Sequence, residues 1–346
     1  MSARTLIGLD IGSTSIKAVV LSKTSVPPKL LSLGEVATPA PGFASDNDLD
    51  LTNLSTAIKS LVEGMQSPTK EVAISLPESK VFTRVIYDLP FLSDEDLSSA
   101  IRYAAEEFVP MPIQDVNLNW QVIARSAQKG PSSKTVVFVI ATPKTLLDKY
   151  IRVITGAELR PVLVETEIIA AARSLVAANP FSPTTLIIQL GALTTDFAIV
   201  HDGLILLTRS ISTGGIAITR AIAQLFNFEI TQAEEYKKVY GLLEDQLEGK
   251  LVTAIKPIIN VIASEAKKVI QAYESQNPTH LVKRVVLTGG GAKLPGLVIF
   301  FADVLGLEIQ EADPWAAISK DPKLATKLAS QATTFSVASG LSLWEG

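Results

Sequence analysis

At 346 residues the chain is longer than one ordinary core usually fills, so at least two domains are expected. Apolar residues make up 47% and charged residues 19%, which excludes a disordered chain. The net charge of -4 comes without a dense basic run, so nucleic acid is not expected as a partner, and the absence of cysteine excludes disulfides and thiolate metal sites.

Residues 1–4 run directly into a strand pattern, without the charged start and long apolar core of a signal peptide. No apolar stretch approaches the ~20 residues of a membrane span, so a soluble, intracellular protein without direct membrane insertion is expected. Residues 5–11 read as a strand, 12–15 as a small-residue turn and 16–21 as a second strand, which together make a hairpin. Residues 49–61 have helical spacing and 71–76 read as a strand.

The segment 79–160 reads as an inserted unit. It opens with a strand at 81–87. Ser93 and Asp96 have capping-box spacing at the start of a helix that carries Leu97, Ile101, Ala104, Ala105 and Phe108 on one face and stops before Pro110. Strands at 116–123 and 135–141 and a helix at 145–155 complete a unit able to bury its own small core. The local acids Asp94, Glu95, Asp96 and Asp115 read as a solvated surface.

A second lobe is expected from 161 to 330. Strands at 185–190, 196–200 and 204–211 precede helices at 216–228, 232–240 and 251–276, the last with a long apolar stripe and with Pro257 near its start. A strand at 285–288 enters a triple-glycine turn, and 294–307 reads as a buried helix. His201 and His280 lie far apart in sequence and read as surface or turn residues rather than metal ligands. Residues 6–12 and 185–191 align without gaps as apolar strand, polar residue, apolar residue and glycine, followed by Ser and Thr. Each copy begins a lobe, which points to a duplicated architecture.

Three glycine-bearing turns each follow an apolar strand: Asp10-Ile-Gly-Ser-Thr-Ser15, Gly191-Ala-Leu-Thr-Thr-Asp196 and Gly289-Gly-Gly-Ala292. Glycine lets backbone N–H groups approach an anion with no Cβ in the way. Gly12, Ser13, Thr14, Ser15, Gly191, Thr194 and Thr195 are candidate phosphate contacts, with Lys17 as a point charge; Asp10 and Asp196 are candidate magnesium ligands, through water. Gly214, Gly215, Gly289, Gly290, Gly291, Ala292 and Lys293 complete the candidate set.

The first turn through Lys17 resembles the first phosphate motif of the actin, Hsp70 and sugar-kinase superfamily, 191–196 resembles its second, and 287–297 its adenosine motif. The segment 233–241 is similar to the Ala-Glu-x-x-Lys-x-x-x-Gly segment of the FtsA branch, which implies adenosine contacts for Glu234 and Lys237. Thr231 and Glu234 also have capping-box spacing, which would tie that glutamate to its helix start. Within the branch, Leu76-Pro-Glu-Ser-Lys-Val-Phe-Thr-Arg84, Leu89-Pro90, Ser93 to Asp96, 100–110 and 265–273 resemble the PilM family, and residues 339–346 lack the membrane-binding helix that usually ends FtsA.

The resemblance implies an α/β fold: an actin-like, duplicated ribonuclease-H-like pair of lobes with a small inserted SHS2-like 1C domain. Residues 1–78 would form the first lobe, 79–160 the insertion, 161–330 the second lobe, and 331–346 a segment packing back on the first lobe. It further implies ATP and Mg2+ as cofactors, the N-terminal peptide of PilN as partner, contact with the pilus motor ATPase and self-association as further associations, and a cytoplasmic place peripheral to the inner membrane. An FtsA-like division or filament protein and a sugar-kinase-like phosphotransferase are the alternative readings. The second phosphate motif normally begins with an acid, where this chain has Gln189, so slow or absent turnover is expected. Glu165 and Glu167 are candidates by position to orient a water, though both read as solvated acids at a helix start.

Overall fold

The computed structural model describes residues 5–125, 133–176 and 183–345. The expectations for residues 1–4 and Gly346 lie outside the described residues, as do 126–132 of the insertion. Every residue of β1 (Leu6–Ile11) is buried. It runs through the middle of a sheet covered on both faces, which calls for a continuous apolar run rather than alternation. β2 (Ser15–Ser22) and β3 (Lys29–Ala37) follow as antiparallel neighbours, and α1 (Asp48–Gly64) leads to β4 (Glu71–Leu76), parallel to β1. Asn47 caps α1 by accepting the Leu49 N–H at 2.8 Å, and Leu54, Ile58 and Leu61 turn onto the sheet.

The inserted unit holds β5 (Phe82–Pro90), α2 (Asp94–Ala105), β6 (Val116–Arg125) and β7 (Lys134–Pro143), with the three strands antiparallel in the order β5-β7-β6. Leu97 and Ile101 of α2 pack on Val137 and Val139. Ser93 Oγ accepts the Asp96 N–H at 3.2 Å and donates to the Asp96 carboxylate at 2.7 Å, which forms the expected cap.

Two boundaries differ from expectation. α3 (Lys144–Gly156) sends Tyr150, Val153 and Ile154 into the first-lobe core beside Leu54 and Ile58, so the inserted unit ends near Pro143 rather than at 160. β8 (Arg160–Thr166) pairs parallel with β4 and closes the first sheet in the order β3-β2-β1-β4-β8, so the first lobe continues past 161. The physical reason is backbone satisfaction. β4 is buried, and its outer N–H and C=O groups take their partners from residues 160–166.

α4 (Glu167–Val176) crosses to the second sheet, which begins with β9 (Thr185–Leu190), β10 (Thr195–His201) and β11 (Leu204–Ile211). α5 (Gly215–Phe226), α6 (Ile230–Tyr240) and α7 (Lys250–Gln276) precede β12 (Arg284–Thr288), α8 (Leu297–Leu305) and β13 (Glu308–Glu311). The order β11-β10-β9-β12-β13 repeats that of the first sheet, three antiparallel strands and then two parallel ones. α7 buries Leu251, Ile255, Ile259, Ile262, Ala266, Val269 and Tyr273, and runs unbroken through Pro257. The segment expected as a buried helix at 294–307 is amphipathic: Pro295 and Gly296 stay in the preceding loop, Leu297 and Phe301 are buried, and Ile299 is 68% exposed. α9 (Ala325–Gln331) leads to α10 (Ser336–Ser342), which is buried throughout and lies on the first sheet. That approach needs Gly8, where an added Cβ would stand 2.0 Å from the Ala338 carbonyl oxygen.

The two histidines, distant in sequence, meet with ring centroids 4.5 Å apart. The Thr184 hydroxyl holds the end of β10 and the loop before β12 together, bonding His201 Nδ1 at 2.9 Å and the His280 carbonyl at 3.1 Å. Among the described residues, no group of three or more His, Cys, Asp or Glu side chains could hold a metal ion, and no helix is long and apolar enough to cross a membrane.

Candidate functional site

The two hairpin turns have the same backbone design. The Gly12 N–H donates to the Ser15 carbonyl at 3.1 Å, and the Gly191 N–H to the Thr194 carbonyl at 2.9 Å. A Cβ at either glycine would stand about that far from the same oxygen, 2.9 and 3.0 Å respectively, so each turn stays tight only with glycine. Ser13 and Thr14 are exposed at the first tip. At the second, Thr194 Oγ1 donates to Asp196 at 3.3 Å, while Thr195 is fully buried and its hydroxyl is engaged by the Thr213 carbonyl at 2.7 Å.

Cross-strand pairing sets the charged groups. Asp10 on β1 lies opposite Lys17 on β2, and Gln189 on β9 opposite Asp196 on β10. Lys17 is largely covered; its ammonium donates to Ser15 Oγ and stands 3.5 Å from Glu35. Burial raises the Asp10 carboxyl above its ordinary range, with Lys17 opposing and Glu35 adding to the rise. Burial pushes Asp196 up to about 7, against the Ser210 hydroxyl that favours its charge.

Glu167 corrects the expectation of a freely solvated acid, although it is half-buried rather than enclosed. It sits at the start of α4 between the two turns. Burial, and then the charges of Asp10, Asp196 and Glu78, hold its carboxyl well above the usual range, with Lys17 opposing. Gln189 Nε2 donates to Glu167 at 3.1 Å, and Gln189 Oε1 is buried with no hydrogen-bond partner. Glu165, by contrast, is paired with Arg173, which also donates to the Gly340 carbonyl at 3.0 Å; it ties α4 to α10.

The third turn is pressed onto the end of β9. Gly289 has φ 84°, and a Cβ there would stand 2.4 Å from the Leu190 carbonyl oxygen; at Gly291 it would stand 2.7 Å from Leu190 Cβ. Gly290 faces open space, and Ala292 is buried in the second-lobe core. Partial burial pulls the Lys293 ammonium below its ordinary range, with Glu35 opposing and Lys17 adding. Lys293 of the second lobe thus lies within the field of two first-lobe side chains.

Gly214 and Gly215 brace the second turn. The Gly215 N–H donates to the Gly191 carbonyl and the Ile216 N–H to the Ala192 carbonyl, each at 2.9 Å, so these amides are already engaged. Lys237 reaches the Gly215 carbonyl at 3.2 Å, Thr219 Oγ1 at 2.9 Å and Glu234 at 2.6 Å. The capping-box alternative for Glu234 fails, since α6 starts at Ile230 with Glu229 at its cap and Thr231 is already inside the helix. Burial pushes Glu234 up, but Lys237, Thr219 and Lys238 outweigh it and leave its carboxyl below the ordinary range.

Asp10, Asp196 and Glu167 do not form a group that could hold a metal ion directly, so a hard divalent cation would meet these oxygens only through its bound water; the buried Gln189 Oε1 has no hydrogen-bond partner. The glycine turns and Lys17 suit a polyphosphate.

Two duplicated sheets, joined across facing hairpin turns and interrupted by a small inserted unit, define an actin-like, two-lobed protein. Among solved structures, the PilM-PilN type IV pilus biogenesis complex matches with a TM-score of 0.86 and 27% identity, over 98% of this chain and 97% of that chain. MreB 5 of Spiroplasma citri bound to AMPPNP matches with a TM-score of 0.56 and 14% identity, over 100% of this chain and 97% of that chain, and bears on the fold alone. Cell division protein FtsA of Enterococcus hirae is 22% identical, over 88% of this chain and 77% of that protein. The family profile described as type IV pilus assembly protein PilM matches residues 8–345, and the chain belongs to that family.

Proposed function

We propose that the cleft holds Mg·ATP and that the chain is a nucleotide-dependent scaffold of type IV pilus assembly, which takes the N-terminal peptide of PilN. The observation that carries the nucleotide reading is the convergence of Asp10, Lys17, Glu167 and Asp196 from both lobes on one place, beside two turns that only glycine keeps tight. Magnesium would supply charge neutralisation at the phosphate oxygens. Asp10 and Asp196 would hold it through water, Lys17 would meet a phosphate as a point charge, and the exposed tip of the first turn, Ser13 and Thr14, would donate to the phosphate chain. Glu167 is the carboxylate best placed to orient a water. Gln189 adds no charge where the superfamily has an acid, so hydrolysis is slow.

The partner reading rests on family membership and on the solved PilM-PilN complex, 27% identical to this chain. The inserted sheet supplies a physical reason. Among the described residues β6 has a paired strand on one side only, and Trp120 on it is 39% exposed. An extended peptide could join such an edge and seat apolar side chains beside it. Binding PilN would place the chain on the cytoplasmic side of the inner membrane, peripheral to it.

One two-armed calorimetric experiment tests both halves. Asp10→Ala is expected to weaken Mg·ATP by about tenfold or more while leaving the PilN peptide affinity intact. Excision of residues 82–143, which spares α3 and β8, is expected to abolish peptide binding and spare Mg·ATP. Unchanged ATP affinity in Asp10→Ala would overturn the cleft assignment. Peptide capture by the folded, excised chain would place that site elsewhere and favour the FtsA-like alternative.

A further inference from the structure

Glu78 lies between β4 and β5, where the first lobe hands the chain to the inserted unit, and is buried with 4% exposure. Its carboxylate accepts from Thr83 Oγ1 of β5 at 3.3 Å. That hydroxyl stands 2.6 Å from the Thr208 hydroxyl of β11, in the second lobe. Burial raises the Glu78 carboxyl, while the hydroxyls of Thr208, Thr166 and Thr83 favour its charge. One oxygen of the carboxylate therefore reaches the second lobe through a single hydroxyl of the inserted unit, while its other oxygen and the Thr166 hydroxyl at the end of β8 are buried without a hydrogen-bond partner. Glu78 is also one of the charges that act on Asp196 and Glu167 in the cleft.

The seam around Glu78 is polar. Further along β5, burial raises the Tyr87 phenol, and the Asn277 side chain just past α7 acts against that rise. The apolar clusters of the inserted unit contain no second-lobe residue, and the second-lobe core contains none from the inserted unit. A few hydrogen bonds without an apolar core make a contact that can be rearranged at low cost, as inter-domain contacts commonly are. A buried carboxylate is costly to keep, and an apolar side chain would fill the same space without that cost.

We propose that Glu78, Thr83 and Thr208 form the joint through which occupancy of the cleft reaches the inserted unit. The surface this unit offers a partner then differs between the empty and the Mg·nucleotide-filled chain. This rests on the reading that the cleft takes Mg·nucleotide. A cation and phosphates near Asp196 and Glu167 change the field at Glu78, and its hydroxyl partners on β5 and β11 follow.

The test is amide hydrogen exchange on the full chain with and without Mg·AMPPNP. In the native chain, AMPPNP is expected to change protection along residues 82–90 as well as in the two hairpin turns. Thr208→Val keeps shape and volume but removes the hydroxyl pair; Glu78→Gln keeps shape but removes the charge. Both are expected to bind AMPPNP within about threefold of the native chain and to lose most of the response at 82–90. Thr208→Val decides the matter if Glu78→Gln fails to fold. Native binding without a response at 82–90, or variants that respond like the native chain, would overturn the joint alone. Failure of the native chain to bind Mg·AMPPNP would overturn the cleft reading, and the joint with it.

Discussion

The two hairpins share a backbone and differ in charge. Aligned strand on strand, Asp10 and Lys17 of the first lobe occupy the places of Gln189 and Asp196 in the second. Ser13 and Thr14 of the first tip correspond to Ala192 and Leu193 of the second. The first turn therefore presents an acid, a base and two exposed hydroxyls, and the second an amide and an acid. The two turns repeat one backbone design, and the side chains at equivalent places differ in charge. A further pair differs one turn back along the strands. Gly8 admits α10 against the first sheet, while its counterpart Ile187 fills the apolar cluster beneath α4.

The most damaging way to break this comparison is to make Gly8 resemble its counterpart. Gly8→Ala drives a methyl group to 2.0 Å from the Ala338 carbonyl oxygen and 2.5 Å from the Ser342 nitrogen. Both are backbone atoms and cannot rotate away, so a loss of roughly 3 kcal/mol or more is expected in urea unfolding. A loss under about 1 kcal/mol would show that α10 slides freely on the first sheet.

A smaller, pH-dependent effect separates the two acids. Asp196 has its folded carboxyl pushed up to about 7 from 3.8, so between those values the folded chain holds a proton that the unfolded chain lacks. That stabilisation is complete below 3.8 and is lost as pH rises through 7. The nucleotide-free chain is expected to melt lower at pH 8 than at pH 6, and Asp196→Asn to flatten that slope. Magnesium competes with the proton, so Mg·ATP is expected to bind more tightly at pH 8 than at pH 6. An identical slope in Asp196→Asn would assign the titration to another carboxyl.

The smallest change sharpens the comparison instead of breaking it. Gln189→Asp gives the second turn the acid that its counterpart Asp10 supplies to the first. Native phosphate release is expected to stay below ~1 per second, and the variant to exceed the native rate. An unchanged rate would show that the charge at this position is not limiting.

Much of this was legible in the residues. β1 and β9 are apolar runs that end on a glycine, and their echo already pointed to duplication. α7 announced itself by its stripe, and α2 by Ser93. The sequence was mute where tertiary pairing decides. β3 is an edge strand whose residues are exposed or half-exposed apart from Leu30, so its pattern carries no clean alternation. β8 begins at Arg160 and Pro161, a pair that reads as a boundary, yet it is recruited by the open side of β4. Glu167 has the local look of an acid at a helix start, and only the packing of α4 half-buries it beside Gln189 and within the field of Asp10 and Asp196. The engaged amides of Gly215 and Ile216, and the hydroxyl of Thr195, were equally invisible.

The chain leaves the first lobe through α4 and is back on it by Trp315, which packs on Val19 and Leu21, and α4 and α10 then touch backbone to backbone. A Cβ at Gly340 would stand 1.6 Å from the Ala170 carbonyl oxygen. α4 packs on both sheets, and the start of α10 is tied to the third turn by Thr288, whose hydroxyl donates to Ser336 Oγ at 2.7 Å. A backbone contact this close holds only while position 340 carries no side chain, so the helix that leads to the second lobe and the helix that closes the first are locked together at a single glycine.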